Sequence, residues 1–136
     1  MTYDRILTER EGKAVYKVGN TVVKLFDSDI YPKSDILNEA LNQARVEETG
    51  LPIPDLKSVS VIEGKWAIII DYVEGKTLQE LIDENPDKVD EYLELFVDLQ
   101  MEIHSKKAPL LNKLKDKMNR KISTLTELDA TTRYEL

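Results

Sequence analysis

The sequence predicts an α+β fold in which a strand-rich half precedes an almost wholly helical half. Residues 1–73 hold short runs of β-branched and aromatic residues, separated by two-residue turns, with one helical stretch among them. After about residue 76, apolar residues recur at helical spacing instead. We therefore expect an antiparallel five-stranded sheet with one helix in residues 1–73, and helices alone in residues 74–136.

The first three predicted strands are rich in β-branched and aromatic residues. They are Arg5–Glu9, Ala14–Val18 and Thr21–Phe26. Gly19 and Asn20 form a two-residue spacer between the second and third of them, which is the usual length of a tight hairpin turn. The second and third strands should therefore pair directly.

A helix and two further strands complete the first half. Ser34 is the expected N-cap, and Gly50 is expected to end the helix before Pro52. The strands are predicted at Lys57–Ile62 and Lys65–Ile70. The second of these is apolar almost throughout, which is typical of a strand that is covered on both faces.

The second half begins with a capping-box pattern at Thr77 and Glu80, which predicts a short helix from Leu78. Asn85 before Pro86 predicts the start of a longer helix that runs to about His104. A further helical stripe has members at Leu111, Leu114, Met118, Ile122 and Leu125. Residues Asp129–Leu136 are typical of the beginning of another helix, so we expect the chain to be a piece of a longer protein.

Composition excludes several classes of function. The net charge of −7 disfavours nucleic acid and anionic lipid, which are bound by clustered Lys and Arg. No cysteine is present, which excludes a disulfide framework and a cysteine-based metal site. The apolar run Trp66–Ile70 is too short to cross a bilayer. The first residues, from Met1 to Arg5, are not followed by an apolar run, so we expect no signal peptide. We therefore expect a cytoplasmic protein with no membrane partner.

Several segments together resemble the aminoglycoside phosphotransferase and choline kinase branch of the protein-kinase-like fold. Their order and spacing match that family over nearly the whole chain. The segments are Val15–Lys24, Asn38–Ala40, Thr49–Pro54, Tyr72–Leu78 and Leu99–Ser105. The resemblance implies a nucleotide-binding N-terminal lobe over residues 1–73, followed by the hinge and first helices of an incomplete C-terminal lobe.

The resemblance assigns Lys24 as the phosphate-binding lysine and Glu39 as its ion-pair partner. In that chemistry, a lysine on the third strand neutralises part of the phosphate charge, and a helix glutamate holds it in place. The alternatives are that Lys24 is a surface lysine, and that Glu39 lies on a solvated helix face. Glu47 and Glu48, on the same helix, compete with Glu39 for the role of ion-pair partner.

The turn at Gly12 should lie over the phosphates, where backbone N–H groups can bind anions. This turn has one glycine where the protein-kinase pattern G-x-G-x-x-G has three, and Glu11 adds a carboxylate beside it. An ordinary hairpin turn is the alternative reading.

The linker Asp71, Tyr72 and Val73 should supply backbone contacts to the adenine base, and Val15, Val22 and Ile70 should pack around it. These three apolar residues would be core residues in any sheet, which is the alternative for them. The single histidine, His104, is expected to end its helix structurally rather than to act in catalysis or metal binding.

The family's catalytic loop, His-Gly-Asp-x-x-x-x-Asn, does not occur in these 136 residues. We therefore assign no catalytic base and no metal ligand, and expect the Mg²⁺ ligands to lie outside this chain. The resemblance implies a parent enzyme that transfers the γ-phosphate of ATP or GTP to a hydroxyl group of a small molecule. The chain alone should be inactive, and the exposed helices of its second half should form a homodimer.

Two other functions remain open from the sequence. One is a non-catalytic kinase-like module that binds or regulates. The other is an unrelated α+β domain whose helices serve oligomerisation.

Overall fold

A computed structural model describes residues 3–124 and confirms the α+β class. The strands are β1 (Arg5–Arg10), β2 (Lys13–Val18), β3 (Thr21–Phe26), β4 (Leu56–Ile62) and β5 (Lys65–Asp71). The helices within the described residues are α1 (Lys33–Glu47), α2 (Leu78–Glu84), α3 (Val89–Ser105) and α4 (Leu114–Ser123). One turn of 3₁₀-helix at Pro86–Lys88 separates α2 from α3.

The five strands form one antiparallel sheet in the order β1-β2-β3-β5-β4. The predicted hairpin is confirmed, because Val18 pairs with Thr21 across the two-residue turn. β5 lies inside the sheet between β3 and β4. Its neighbouring residues Ala67 and Ile68 are both buried, one on each face of the sheet. The apolar run of this strand thus does reflect cover on both sides.

The core lies in two layers, one on each face of the sheet. On one face, α1 packs its buried residues Ile36 and Ala40 against Phe26 and Ile68. On the other face, the buried cluster consists of Val23, Leu25 and Ala67, with partly buried tyrosines packed against it. Strand alternation explains the division, since successive side chains of β3 and β5 point to opposite faces.

The predicted N-cap at Ser34 is wrong, because α1 begins at Lys33 and its cap residue is Pro32. The Pro32 carbonyl accepts the N–H groups of Asp35 and Ile36 at 3.0 and 3.3 Å. The Lys33 ammonium lies 5.2 Å from the centre of the Trp66 ring, so a contact with the sheet accompanies the start of the helix. Ser34 therefore falls inside the first turn.

The C-terminal end of α1 is fastened to the sheet by side chains. α1 ends at Glu47, and Gly50 follows in the left-handed conformation with φ of 80°, as predicted. Gln43 donates to the Pro54 carbonyl at 2.6 Å, and the Glu47 carboxylate accepts the Leu56 N–H at the start of β4. These bonds fix the position of the helix over the sheet.

In the helical half, the capping box of α2 is confirmed by both of its bonds. Thr77 Oγ1 accepts the Glu80 N–H at 3.2 Å, and the Glu80 carboxylate accepts the Thr77 N–H at 2.7 Å. Asn85 occupies the predicted N-cap position before Pro86, at the start of the 3₁₀ turn, but its side chain makes no cap hydrogen bond there. Its side chain instead donates to the Leu81 carbonyl at 3.1 Å and closes α2.

The helices α2, α3 and α4 contain no buried residue within the described part of the chain. The exposed apolar residues of α3 and α4 include Leu93, Phe96, Val97, Met101, Ile103, Leu114 and Met118. Leu111 precedes α4 rather than belonging to it. The predictions for Leu125 and for Asp129–Leu136 lie outside the described residues. Within residues 3–124, every helix is too short or too polar to span a lipid bilayer.

Candidate functional site

The register of the sheet defines one face on which the predicted site residues can meet. Lys17 pairs with Val22, Val15 pairs with Lys24, and Lys13 pairs with Phe26. Residues two apart on a strand point to the same face and lie about 7 Å apart. The α1-facing side of the β2–β3 hairpin therefore carries three rows of side chains. We call the Lys17 end of these rows the linker end, and the Lys13 end the turn end.

The predicted contact between Lys24 and Glu39 is present. Lys24 Nζ donates to Glu39 Oε1 at 3.2 Å, and joins the middle row of the sheet to helix α1. The side chain of Lys24 is 23% exposed and that of Glu39 is 41% exposed. Solvent therefore reaches the pair, and its geometry leaves the lysine accessible to an anion.

The helix carboxylates that competed with Glu39 in the sequence have other positions. Glu47 accepts the Leu56 N–H and so supports β4. Glu48 is the C-cap residue of α1, close to the segment at Lys107–Leu111. Of these three glutamates, only Glu39 forms an ion pair with Lys24 among the described residues.

A second lysine, which the sequence reading did not single out, reaches the same carboxylate. Lys13 Nζ lies 3.8 Å from Glu39 Oε1, and the Lys13 side chain is 14% exposed. Burial lowers the pKa of Lys13, the cations Lys24 and Arg10 lower it further, and Glu39 opposes them. The signal that could have found it is strand alternation, since Lys13 is two residues from Val15, the partner of Lys24.

The turn at Gly12 joins β1 to β2 and is tied to the chain beyond β3. Gly12 has φ of 77°, a conformation that favours glycine. Its carbonyl accepts the Asp27 N–H at 2.8 Å. A Cβ atom at this position would lie 2.8 Å from Ile30 Cδ1, so Ile30 packs directly on the glycine. The turn is thus held in place at the end of the sheet where Lys13 emerges.

The linker lies at the other end of the hairpin rows, where Asp71 is the last residue of β5 and Tyr72 and Val73 follow it. The Asp71 N–H donates to the Asp55 carbonyl and the Tyr72 N–H donates to the Asn20 carbonyl, both at 2.9 Å. Within residues 3–124, the Val73 N–H alone of these three has no protein acceptor, and Val73 is 66% exposed. Val73 is therefore the linker residue whose backbone donor is open to a ligand.

The apolar residues expected around a base lie on the face that carries Lys24. Val22 pairs with Ile70 across β3 and β5, and Val15 neighbours Lys24 across β2 and β3. Val15 and Val22 are buried, and Ile70 packs against the α1 core. Val22 and Ile70 therefore lie in the row between the linker and Lys24, and Val15 lies beside Lys24 in its own row.

A shallow cavity of about 360 Å³ opens beside the linker. Its lining includes Arg5, Lys17, Asn20, Tyr72 and Glu74. Arg5 donates to the Tyr72 hydroxyl at 3.1 Å, and the Lys17 ammonium lies 4.9 Å from the centre of the Tyr72 ring. Tyr72 is thus fixed by two cations at the linker end of the rows.

Among residues 3–124, no group of three or more Asp, Glu or His side chains is placed to hold a metal ion. His104 lies in the last turn of α3 and is exposed.

Comparison with known proteins adds no family to this description. No protein-family model matches the chain, and no curated protein matches it.

Proposed function

We propose that this chain is the nucleotide-binding part of a small-molecule phosphotransferase that resembles aminoglycoside phosphotransferases and choline kinases. ATP or GTP would lie along the α1 face of the β2–β3 hairpin. The phosphates would meet Lys24, and the base would lie near the linker. The parent enzyme would transfer the γ-phosphate to a hydroxyl group of its substrate.

The observation that carries this proposal is the 3.2 Å contact between Lys24 on β3 and Glu39 on α1. A nucleoside triphosphate needs a cation near its phosphates, and a long lysine side chain needs a partner to keep it out of bulk water. Glu39 provides that partner from the neighbouring helix, and the partial exposure of the pair leaves Lys24 able to reach a second anion.

The linker supports the same orientation of the ligand. The open N–H of Val73 is a donor suited to a purine nitrogen. The cavity beside Tyr72 lies at the linker end of the rows, and the row with Val22 and Ile70 lies between the linker and Lys24. The purine base would lie at the linker and the phosphates at Lys24, with the apolar row of Val22 and Ile70 between them.

The 136-residue chain should not catalyse phosphoryl transfer by itself. Phosphoryl transfer requires a residue that orients the attacking hydroxyl and ligands for Mg²⁺. The sequence has no His-Gly-Asp-x-x-x-x-Asn loop, and the described residues offer no acidic cluster that fits Mg²⁺. We therefore expect the purified 136-residue chain to bind nucleotide and to transfer no phosphate. Robust ATP-dependent phosphorylation by this chain would contradict that expectation.

Isothermal calorimetry with ATP and GTP tests the binding site. Lys24→Ala should weaken nucleotide binding by about tenfold or more, because it removes a charge-assisted contact worth about 1.5–3 kcal/mol. Glu39→Gln should weaken binding less, because the cation remains but loses its anchor. Lys65→Ala is the matched control, since Lys65 is exposed on the opposite face of the sheet.

The outcomes separate the alternatives. Failure of the unmodified chain to bind either nucleotide would favour an unrelated α+β domain with helices for oligomerisation. Binding that is equally strong in Lys24→Ala would place the nucleotide elsewhere. Binding that depends on Lys24, combined with inactivity of a longer parent chain, would favour a non-catalytic kinase-like module.

We also propose that the helices of the second half pair with those of a second copy of this chain. The exposed apolar residues of α3 lie beside an acidic face, and α4 has an apolar stripe at Leu114 and Met118 among basic residues. The acidic residues of α3 are Asp90, Glu91, Glu94, Asp98 and Glu102. The basic residues in and just before α4 are Lys113, Lys115, Lys117, Arg120 and Lys121. Complementary charge favours α3 of one copy against α4 of the other.

The segment between these helices argues for exchange between copies rather than pairing within one chain. Arg45 of α1 donates to the Leu110 carbonyl, and Asn112 donates to Asn38 Oδ1 at 3.0 Å. These bonds hold the connection before α4 against α1, and within the described residues α4 packs little against α3 of its own chain.

A further inference from the structure

We propose that Lys13 is a second phosphate-binding residue, and that Lys13 and Lys24 together form a clamp for a polyphosphate chain. This inference rests on the proposed nucleotide site and extends it. Through Lys13, β2 would contact the ligand at the turn end of the hairpin rows. The site would then distinguish ligands by the number of their phosphates.

The charge balance at Glu39 is the first observation. Lys13 and Lys24 approach the same oxygen, Glu39 Oε1, at 3.8 and 3.2 Å. One carboxylate thus faces two ammonium groups, and Arg10 pairs with Lys13 across the β1–β2 hairpin. A partly buried site with more cations than anions is stabilised when an anion arrives.

The position of Lys13 is the second observation. Lys13 and Lys24 lie on adjacent rows of one sheet face, about 7 Å apart along the strand direction. The linker lies at the other end of these rows. A ligand that enters from the linker therefore passes the Lys17 row first, then Lys24 and then Lys13. Lys17 is already engaged with Asp4 and the Tyr72 ring, and Lys13 would contact the phosphates farthest from the base.

The environment of Lys13 holds it on this face. Its ammonium lies 5.1 Å from the centre of the Phe26 ring, and its side chain is mostly buried. The Gly12 turn beside it is fixed by the Asp27 N–H and by Ile30. The Gly12 turn has one glycine and not three. The Lys13 ammonium would take the place of the several backbone N–H groups that a three-glycine loop offers to phosphates.

Calorimetry with ATP, ADP, AMP and inorganic tripolyphosphate tests the clamp on the full 136-residue chain. Lys13→Gln should weaken ATP and tripolyphosphate binding by about tenfold, equivalent to about 1.4 kcal/mol, and should change AMP binding less than about twofold. Lys13→Arg should restore most of the affinity because it keeps the charge. Lys65→Gln removes a lysine from the opposite face and should have no effect. Circular dichroism verifies that each variant is folded.

The outcomes distinguish this inference from the proposed function. Equal loss of ATP and AMP affinity in Lys13→Gln would overturn the clamp, because a purely structural lysine would affect both ligands alike. ATP binding that depends on Lys24 and not on Lys13 would also overturn it, while leaving the nucleotide site intact. Binding of tripolyphosphate that depends on Lys13, without binding of any nucleotide, would support the clamp and refute the nucleotide function.

Discussion

The sheet half and the helical half of this chain differ in where their apolar residues lie. All nine buried apolar residues belong to the sheet and α1, whereas α2, α3 and α4 bury none within the described residues. The sheet half forms a buried apolar cluster on each face of its sheet. The helical half has local sequence patterns that favour helices, such as the capping box of α2. Its apolar side chains are nevertheless exposed within the described residues. A segment can thus form a helix locally without burying its apolar side chains in a core.

Two phenylalanines test this comparison with the same substitution, and here we expect the largest effect. Phe26 is 1% exposed under α1, whereas Phe96 on α3 is 47% exposed. Phe26→Ala should cost about 3–5 kcal/mol in the free energy of unfolding, because it leaves a cavity in the core. Phe96→Ala should cost less than about 1 kcal/mol in the monomer. Urea denaturation at low protein concentration measures both, and equal costs would refute the contrast between the halves.

A charge placed on the helical half sharpens the comparison further, with an intermediate effect. Met118→Glu puts a carboxylate in the apolar stripe of α4. It should weaken self-association at least tenfold, about 1.4 kcal/mol, because the charge must be desolvated at the interface. Ile6→Glu, at an exposed position of β1, is the control and should leave association unchanged. Sedimentation velocity measures the association. If the unmodified chain stays monomeric at high concentration, the proposed dimer is wrong.

The smallest effect should come from the cap of α2. Thr77→Ala removes the hydroxyl that accepts the Glu80 N–H, and should cost about 1 kcal/mol locally. Amide exchange in α2 should then accelerate about fivefold, while exchange in the sheet stays unchanged. Ser105→Ala, which removes a hydroxyl bond to the Glu102 carbonyl in α3, is the comparison for a non-capping serine. Faster exchange throughout the sheet would mean that the two halves unfold together.

The sheet was predictable from the sequence because its signals are local and mutually consistent. A two-residue turn at Gly19 and Asn20 sets the register of β2 against β3, and that register places Val15 opposite Lys24. The same register puts Lys13 on the sheet face that carries Lys24. Whether Lys13 meets Glu39 depends on where α1 crosses the sheet. No local pattern encodes that crossing, so the approach of Lys13 to Glu39 emerges only in three dimensions.

Ser34 is not the N-cap of α1, and Asn85 is an N-cap without a side-chain cap bond; both departures have the same physical origin. Ser34 and Asn85 are good cap residues in isolation, but neighbouring contacts decide where a helix begins. Pro32 supplies the carbonyl that starts α1, next to a lysine that lies over Trp66. Asn85 is used by the preceding helix through Leu81. The Lys24–Glu39 contact was predicted from a resemblance and is present, whereas its role in nucleotide binding remains a prediction.

The fixed turn at Gly12 has a thermodynamic consequence for any ligand that binds beside it. Ordering a mobile loop costs conformational entropy, at roughly 1–2 kcal/mol for each residue that becomes fixed. Here the Asp27 bond and the packing of Ile30 have already restricted the turn in the free chain. Association at Lys13 therefore avoids most of that ordering cost, and more of the favourable contact energy is retained as affinity.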